Sequence, residues 1–228
     1  MPDYLRYRVP GGTYFFTITL LERGGDLLVR HIDVLREAVR RTRAERPFHI
    51  DAWVVMPDHI HCVLTLPPGD ADFSNRIKAI KIRFSRGVPR TESRSEVRAA
   101  KGERGIWQRR FWEHAVRDER DYSHCMDYVH FNPVKHGLVA SVADWPHSTF
   151  HRCVAESCIH ATWGVRRRAE LLRRFRLQIW LRPLGGFLCF CTYTTGHLFA
   201  WVMPPPSGWR NLQGVPPYVR QLWPTGPP

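Results

Sequence analysis

The stretch Met56–Leu66 reads MPDHIHCVLTL and predicts a tight turn that leads into a strand with two unlike faces. Pro57 and Asp58 are typical of a turn. After them, side chains must alternate between the two faces of a strand. One face would carry Ile60, Cys62, Leu64 and Leu66, and the other His59, His61, Val63 and Thr65. The first face requires a hydrophobic core, and the second presents two neighbouring imidazoles.

The histidine pair is a candidate metal site, because a strand can hold two imidazoles against one metal ion. Taken alone, the signal is weak. Twelve histidines in 228 residues would give about 0.6 His-x-His pairs by chance. The assignment therefore depends on support from other parts of the chain.

The charge of the chain is large but unevenly distributed. A formal net charge of +13 favours a polyanionic partner, nucleic acid first. Residues 1–160 carry 25 Lys and Arg against 20 Asp and Glu, whereas residues 161–228 carry 9 against 1. The first region is therefore only moderately basic, and the net charge overstates the case for nucleic acid.

The length predicts one domain with an extension, which we place at residues 1–160 and 161–228. The six cysteines form no Cys-x-x-Cys pair, and the N-terminus resembles neither a signal nor a transit peptide. We therefore expect reduced thiols in a cytoplasmic protein. Their simplest role is that of small buried hydrophobic residues.

Hydrophobic periodicity predicts four strands and three helices. The strands are Thr13–Leu21, Phe48–Met56, 59–66 and Ile106–Val116, and the helices are Ile32–Glu45, Phe73–Arg86 and Asp118–His136. Without the last helix, this order is that of the α+β, ferredoxin-like (split βαβ) antiparallel sheet. Its two helices would cover the apolar face of the histidine strand. The added third helix would then lie against the histidine face.

The third helix brings a candidate nucleophile, Tyr128, to that face. Asn132 follows four residues later and shares its side of the helix, provided that the helix persists up to Pro133. Tyrosine could then attack a phosphodiester that a metal ion polarises. Because a tyrosine side chain has a pKa of about 10, it would need a nearby cation. On spacing alone, the simpler interpretation of Tyr128 is a half-buried core tyrosine.

Longer stretches resemble the REP-associated tyrosine transposases, a branch of the single-strand transposases that carry a His-hydrophobic-His (HUH) motif. They run in order from about residue 4 to 155. The matching stretches are GGTYFFT, FHIDAWVVMPDHIHCVLTLP, GIWQRRFWEH, RDERDY, DYVHFNPVKHGLV and DWPHSTFH. Members usually end near residue 160 of this numbering, so the tail departs from the family.

The resemblance implies a role for each candidate residue. In the family, the HUH histidines bind the metal, and these positions correspond to His59 and His61 here. The tyrosine of its Tyr-Ile-x-x-Asn-Pro motif is the nucleophile, which falls on Tyr128, and Asn132 falls where related transposases keep an amide ligand. The cofactor would be Mn²⁺, which suits imidazole, or Mg²⁺, which enters from the resemblance alone.

The resemblance also implies a substrate, namely single-stranded DNA hairpins of bacterial repetitive extragenic palindromes (REP) with a short conserved tetranucleotide at their foot. Cleavage would leave a 5′-phosphotyrosine and a free 3′-OH, and the covalent bond would allow rejoining without ATP. We expect a nucleoid-associated protein with no obligate protein partner. The short connection Arg117–Asp121 favours a monomer in which the helix of Tyr128 folds onto its own sheet.

Aromatic and basic side chains could supply the DNA contacts. Base stacking is expected of Trp107, Phe111 and Trp112. Phosphate contacts are expected of Arg109, Arg110, Lys78, Lys81 and Arg83. Each of them could instead be a core aromatic residue or a solvated surface charge.

Two other classes of protein remain as alternatives. A non-catalytic nucleic-acid-binding module could share the ferredoxin-like sheet, but the RNP aromatic signature is absent and histidines stand on the sheet face. A membrane-anchored basic protein would depend on the tail alone. Its uncharged run Leu184–Met203 is 20 residues long, enough to span a bilayer. Glycines, threonines and His197 make this run weakly hydrophobic, so we favour a poorly ordered appendage.

Overall fold

A four-stranded antiparallel sheet with helices on both faces forms the centre of this computed structural model, which describes residues 6–90, 100, 102, 104–160 and 163. The strands are β1 (Thr13–Thr19), β2 (His49–Val55), β3 (His59–Thr65) and β4 (Trp112–Ala115). The helices are α1 (Leu27–Arg30), α2 (Ile32–Glu45), α3 (Phe73–Gly87), α4 (Glu119–Lys135) and α5 (Phe150–Ala155).

The strand order β2-β3-β1-β4 confirms the predicted ferredoxin-like topology. The bounds of the predicted elements lie within two residues of those observed, except for the fourth strand. The short helices α1 and α5 were not predicted. Statements about the tail, including the run Leu184–Met203 and Cys189 and Cys191, fall outside the described residues.

The two faces of β3 lie in two different cores, as the alternation predicted. Ile60, Cys62 and Leu64 pack into the main core with residues of α2 and α3. On the opposite face, Val63 packs with residues of α4 in a second core. Since α4 contacts β2 and β3, the histidine face of the sheet lies beneath this helix.

The fourth strand is much shorter than predicted, because the chain bulges before it. Trp107 forms an isolated bridge with Leu20, and the regular pairing begins only where Trp112 meets Thr17. Between Trp107 and Trp112 the chain has four residues, whereas β1 has only two between the paired residues Leu20 and Thr17. The two extra residues cannot be accommodated in the ladder, and the chain at residues 108–111 leaves the sheet.

Helix α4 is continuous through Asn132-Pro133. Tyr128 and Asn132 therefore lie on the same face of this helix. The Asp118 side chain caps its start by accepting the backbone N–H of Asp121 at 2.8 Å. Pro133 lies in the last turn, where it removes one backbone hydrogen bond without ending the helix.

Gly137 ends this helix. Its φ of +71° is a left-handed conformation that glycine adopts without strain. The N–H of Leu138 donates to the carbonyl of Pro133 at 3.0 Å, and the N–H of Gly137 to that of Val134 at 3.0 Å. This pair of bonds is the Schellman motif, which fixes Lys135 as the last residue of the helix.

The segment after the helix covers the open edge of β2. Val55 N–H donates to the carbonyl of His147 at 2.9 Å, and Thr149 N–H donates to that of Trp53 at 2.9 Å. These bonds satisfy edge groups of β2 that could otherwise pair with another chain.

Two further expectations concern the whole chain. Of the cysteines in the described region, all four are free thiols; Cys62, Cys125 and Cys153 are buried, as expected of small hydrophobic residues, and Cys158 is exposed. No helix in the described part of the chain has both the length and the apolar character needed to cross a membrane.

Candidate active site

His59 and His61 lie side by side on β3, beneath helix α4. Their ring centroids are 4.8 Å apart, and the rings are nearly perpendicular, at 80°. Both are buried, with 6% and 3% of their surfaces exposed. The rigid strand thus presents two imidazoles to one point in a site that is largely screened from water.

Asp58 fixes the orientation of His59. Nδ1 of His59 donates to Oδ1 of Asp58 at 2.6 Å, and Arg23 donates to the other carboxylate oxygen. Although burial opposes it, these hydrogen bonds hold the pKa of Asp58 well below its usual range. Since a carboxylate can only accept, Nδ1 carries a proton, and Nε2 is the ring nitrogen that remains to face a metal ion. Sequence analysis had assigned Asp58 to the turn alone.

Thr17 plays the corresponding part for His61. The two residues are directly paired across β1 and β3, and the Thr17 hydroxyl lies 2.9 Å from Nδ1 of His61. This hydroxyl can accept a hydrogen bond from the Nδ1–H of His61, which leaves Nε2 to bind a cation. Burial, together with nearby positive charge, lowers the pKa of His61 well below its usual value. Its imidazole is therefore neutral, the form that ligates metals.

Helix α4 places Tyr128 over this pair. Its ring centroid lies 5.1 Å from that of His61, in an edge-on arrangement at 77°. Phe15 contacts both residues, with its centroid 5.5 Å from His61 and 5.6 Å from Tyr128. The structure therefore brings together the tyrosine and the two histidines, which are separated by 67 residues of sequence.

Lys135 contacts the hydroxyl of Tyr128. Its Nζ donates to the phenolic oxygen at 3.3 Å and lies 4.5 Å from the centroid of the ring. Sequence analysis required a nearby cation but did not identify one. The signal that points to Lys135 is its spacing of seven residues from Tyr128, which places both side chains on one face of the helix, two turns apart.

Asn132 is fully buried one turn after Tyr128. Its side-chain amide donates to the Tyr128 carbonyl at 3.5 Å. Within the described residues its Oδ1 has no hydrogen-bond partner, although buried oxygens are rarely left so. Two imidazoles and an amide oxygen form a donor set that fits a divalent ion, and the two nitrogens favour Mn²⁺ over Mg²⁺.

A second group of potential ligands lies where β4 meets the start of α4. Side-chain atoms of His114, Asp121 and Cys125 are all within 4.8 Å of one another. However, Nε2 of His114 donates to Oδ2 of Asp121 at 2.8 Å, and Nε of Arg117 donates to the same oxygen at 3.2 Å. A guanidinium therefore already compensates the negative charge of this carboxylate.

A groove of about 220 Å³ opens beside the histidine pair. His59 and Asp58 form part of its wall, with Gly25 and Leu138 along its rim. His136 also lines it, with its ring centroid 5.4 Å from that of His59. Of the candidate ligands, His59 therefore borders this groove.

Of the predicted DNA contacts, Trp112 lies on the histidine face of the sheet, and Arg109 and Arg110 lie on the bulge before it. Trp112 shares the face of Thr17, and its ring meets Phe15 edge-on with centroids 5.6 Å apart. Arg109 and Arg110 are exposed on the bulge before it. Because the N–H of Gln108 donates to the carbonyl of Thr19, which pairs with His59, the bulge is at the histidine end of the sheet.

The other two predicted stacking residues face the main core. Trp107 is only 7% exposed, and its indole N–H donates to the carbonyl of Lys81 at 3.1 Å, so little of its ring is available for stacking on a base. Phe111 packs against Phe16 on the face away from the histidines, and the Arg6 guanidinium covers its ring at 4.2 Å. Its ring is likewise not presented to DNA at this site.

The three phosphate contacts predicted on α3 lie across the sheet from the histidines. The ammonium of Lys81 donates to the carbonyl of Gln108 at 2.6 Å, and burial lowers its pKa to about 8, so this charge is engaged within the domain. Arg83 pairs with Glu45 of α2. Lys78 is exposed, but on the far side of the domain.

Known proteins resemble this chain over most of the described region. A family model described as "Transposase IS200 like" matches residues 21–132. A REP-associated tyrosine transposase of Escherichia coli (strain K12) is 47% identical over 164 residues, covering 72% of this chain and 92% of that protein. A putative REP-associated tyrosine transposase of Haemophilus influenzae is 43% identical over 169 residues, covering 72% and 94%.

A solved structure resembles the fold as well. It is that of a REP-associated tyrosine transposase bound to a REP hairpin, with a TM-score of 0.62 and 47% sequence identity. The match covers 72% of this chain and 91% of that one.

Proposed function

The chain belongs to the REP-associated tyrosine transposases, and from this premise we propose that it cleaves single-stranded DNA hairpins through a covalent bond to Tyr128. Enzymes of this family are transposases that act as single-strand DNA endonucleases. The hairpin substrate is proposed because the relative of known structure is bound to a REP hairpin.

The observation that carries the proposal is the position of the Tyr128 hydroxyl. The ring stands 5.1 Å from that of His61, and the hydroxyl accepts a hydrogen bond from Lys135. A nucleophile, a cation and two imidazoles thus lie close together. A core tyrosine would need none of these neighbours.

In the proposed step, the phenolic oxygen of Tyr128 attacks the scissile phosphorus. The Oη–P bond forms while the bond from phosphorus to the 3′ oxygen breaks, and the phenolic proton ends on that 3′ oxygen. The products are a 5′-phosphotyrosine and a free 3′-OH. The reverse attack by a 3′-OH rejoins a strand and needs no other source of energy.

We propose that His59, His61 and Asn132 hold the divalent ion. Asp58 and Thr17 keep the imidazoles in position for this, and the orphaned amide oxygen of Asn132 completes the set. When bound, Mn²⁺ or Mg²⁺ supplies positive charge at the scissile phosphate. Catalytic metal sites with three protein ligands leave positions for a substrate oxygen and water.

The DNA contacts that we propose are Trp112, Arg109 and Arg110. Trp112 lies on the histidine face and can stack on an unpaired base. The two arginines project from the bulge at the histidine end of the sheet, where phosphates next to the scissile bond would pass.

The test is cleavage of a REP-type hairpin oligonucleotide in Mn²⁺ by full-length protein, followed on a denaturing gel. The Tyr128→Phe variant removes only the hydroxyl, so it should bind the hairpin with unchanged affinity and form neither cleaved strand nor covalent adduct. Binding without cleavage by the unmodified protein would instead support the alternative of a non-catalytic binding module.

The metal assignment has its own test. His59→Ala and His61→Ala should each lose cleavage, and excess EDTA should stop the unmodified protein. Full activity in EDTA would contradict a metal requirement. His151→Ala is a matched control, because this histidine is exposed and lies after the edge segment rather than on β3.

We also propose a monomeric unit with its site built in cis and a catalytic domain within residues 1–160. Mixing Tyr128→Phe with His59→Ala protein should then not restore cleavage, whereas restored cleavage would indicate a site shared between two chains. A protein of residues 1–160 should cleave the same bond. Because it lacks the basic tail, its DNA affinity should depend less steeply on salt.

A further inference from the structure

Lys135 reaches Tyr128 because of how helix α4 ends. Side chains on a helix point back toward its N-terminus, and the two residues are two turns apart on one face. The Schellman motif at Gly137 stops the helix directly after Lys135. The ammonium can therefore fold back over the ring of Tyr128 and donate to its hydroxyl at 3.3 Å.

The half-buried position of Lys135 gives its charge more effect than it would have at the surface. Its positive charge also contributes to the low pKa of His61, which places the ammonium within electrostatic reach of the histidine pair. The C-terminal end of a helix carries partial negative charge, which favours a cation at this position.

We propose that Lys135 is a catalytic residue of the strand transfer, acting on the phenolic oxygen of Tyr128. This inference rests on the proposed role of Tyr128 as nucleophile. As the phenolic proton leaves, the hydrogen bond and the positive charge of Lys135 stabilise the negative charge on the phenolic oxygen that then bonds to phosphorus. In rejoining, the same oxygen is the leaving group, and Lys135 stabilises it again. Lys135 is not consumed in either direction.

Two other roles would produce the same contact, and they predict different behaviour. If the aliphatic part of Lys135 only packs on the ring of Tyr128, methionine should replace it without loss. If the ammonium only binds a DNA phosphate, a saturating concentration of hairpin should overcome its removal. A role in the reaction predicts a loss that persists at saturation and is relieved by another cation.

The experiment uses full-length Lys135→Met and Lys135→Arg proteins with a REP-type hairpin in saturating Mn²⁺. Methionine keeps the length and apolar character of the side chain, and arginine keeps the charge. Arg36→Met is the control for a lost surface charge, since Arg36 lies exposed on α2 and pairs only with Asp33 in the described contacts. The rate of a single round of cleavage is measured as the hairpin concentration is raised to saturation.

We expect Lys135→Met to cleave about 100-fold more slowly at saturation, which is typical of losing one donor to a developing negative charge. Lys135→Arg should cleave roughly tenfold faster than Lys135→Met, because arginine keeps the positive charge. Arg36→Met should cleave at the rate of the unmodified protein. The rate at which purified adduct rejoins to a 3′-OH strand should fall by the same factor, because both directions share one transition state.

Three results would overturn the inference. They are an unchanged rate in Lys135→Met, a rate restored by excess hairpin, and equal losses in the methionine and arginine variants. If Tyr128→Phe, assayed in parallel, still cleaves, the proposed function itself fails. If Tyr128→Phe is inactive and Lys135→Met is fully active, only the role of Lys135 fails.

Discussion

Replacement of Asp58 by asparagine tests how the protein prepares His59 for a metal ion. In the structure the carboxylate accepts from Nδ1 of His59 at 2.6 Å and is itself held by Arg23. An asparagine side chain could still accept this hydrogen bond through its amide oxygen, but without a negative charge. The substitution therefore separates the charge of the carboxylate from its shape.

The expected magnitude follows from the type of bond that is lost. A hydrogen bond to a charged group contributes about 1.5–3 kcal/mol, and a neutral one about 0.5–1.5 kcal/mol. The difference of about 1–2 kcal/mol corresponds to metal binding that is roughly 5- to 30-fold weaker. This agrees with the roughly 10- to 100-fold losses usual for residues that support metal-bound histidines.

Isothermal titration of Mn²⁺ into DNA-free protein measures this loss directly. Asp33→Asn is the matched control, since its side chain is 88% exposed on α2, and it should bind Mn²⁺ as the unmodified protein does. Thermal melts of each variant exclude unfolding as the cause. Unchanged Mn²⁺ affinity in Asp58→Asn would refute the inference that His59 presents Nε2 to a metal ion.

Three further predictions concern stability and can be measured by chemical denaturation. Tyr122→Phe removes the hydroxyl that donates to buried Asp51 at 3.0 Å, and should reduce the free energy of unfolding by about 1–3 kcal/mol. Gly137→Ala places a side chain where φ is +71°, with no atom within 4 Å of the added carbon, and should cost about 1–2 kcal/mol from backbone strain alone. Because burial lowers the pKa of Lys81 to about 8, the folded protein binds fewer protons than the unfolded chain between pH 8 and 10.5. Stability should therefore rise across this interval, by up to about 3 kcal/mol, and Lys81→Met should abolish the rise whereas exposed Lys78→Met should not.

Each of these has an outcome that contradicts it. A Tyr122→Phe protein as stable as the unmodified one would mean that Asp51 is satisfied without the hydroxyl. An unchanged Gly137→Ala protein would show that the helix can end without a left-handed residue. A rise with pH that survives in Lys81→Met would have to come from other groups.

The sequence was sufficient to predict the sheet and the faces of β3, because strict alternation leaves each residue one choice of side. It was likewise sufficient to place Tyr128 and Asn132 on one helix face. Both inferences use only local periodicity. They hold because a strand and a helix fix the directions of side chains within a few residues.

The contacts that sequence analysis missed depend on where the chain ends a regular element. The aromatic pattern of residues 106–116 is that of a strand, but two extra residues relative to β1 cannot fit the ladder, and Trp107 packs into the main core instead. Similarly, the basic stripe of α3 indicated an exposed face, but not that this face lies across the sheet from the histidines. To predict the contact of Lys135 with Tyr128, one must know that the helix continues past Pro133 and ends before Gly137.

The most direct test of the account is to identify the residue that becomes attached to DNA. Full-length protein is incubated with a 5′-extended REP-type hairpin and Mn²⁺, digested with protease and nuclease, and the modified peptide is sequenced by mass spectrometry. We predict a nucleotide phosphate on Tyr128, in the peptide that contains Asn132. Attachment to another residue, or cleaved strands with no adduct at any residue, would contradict the assignment of Tyr128 as the nucleophile.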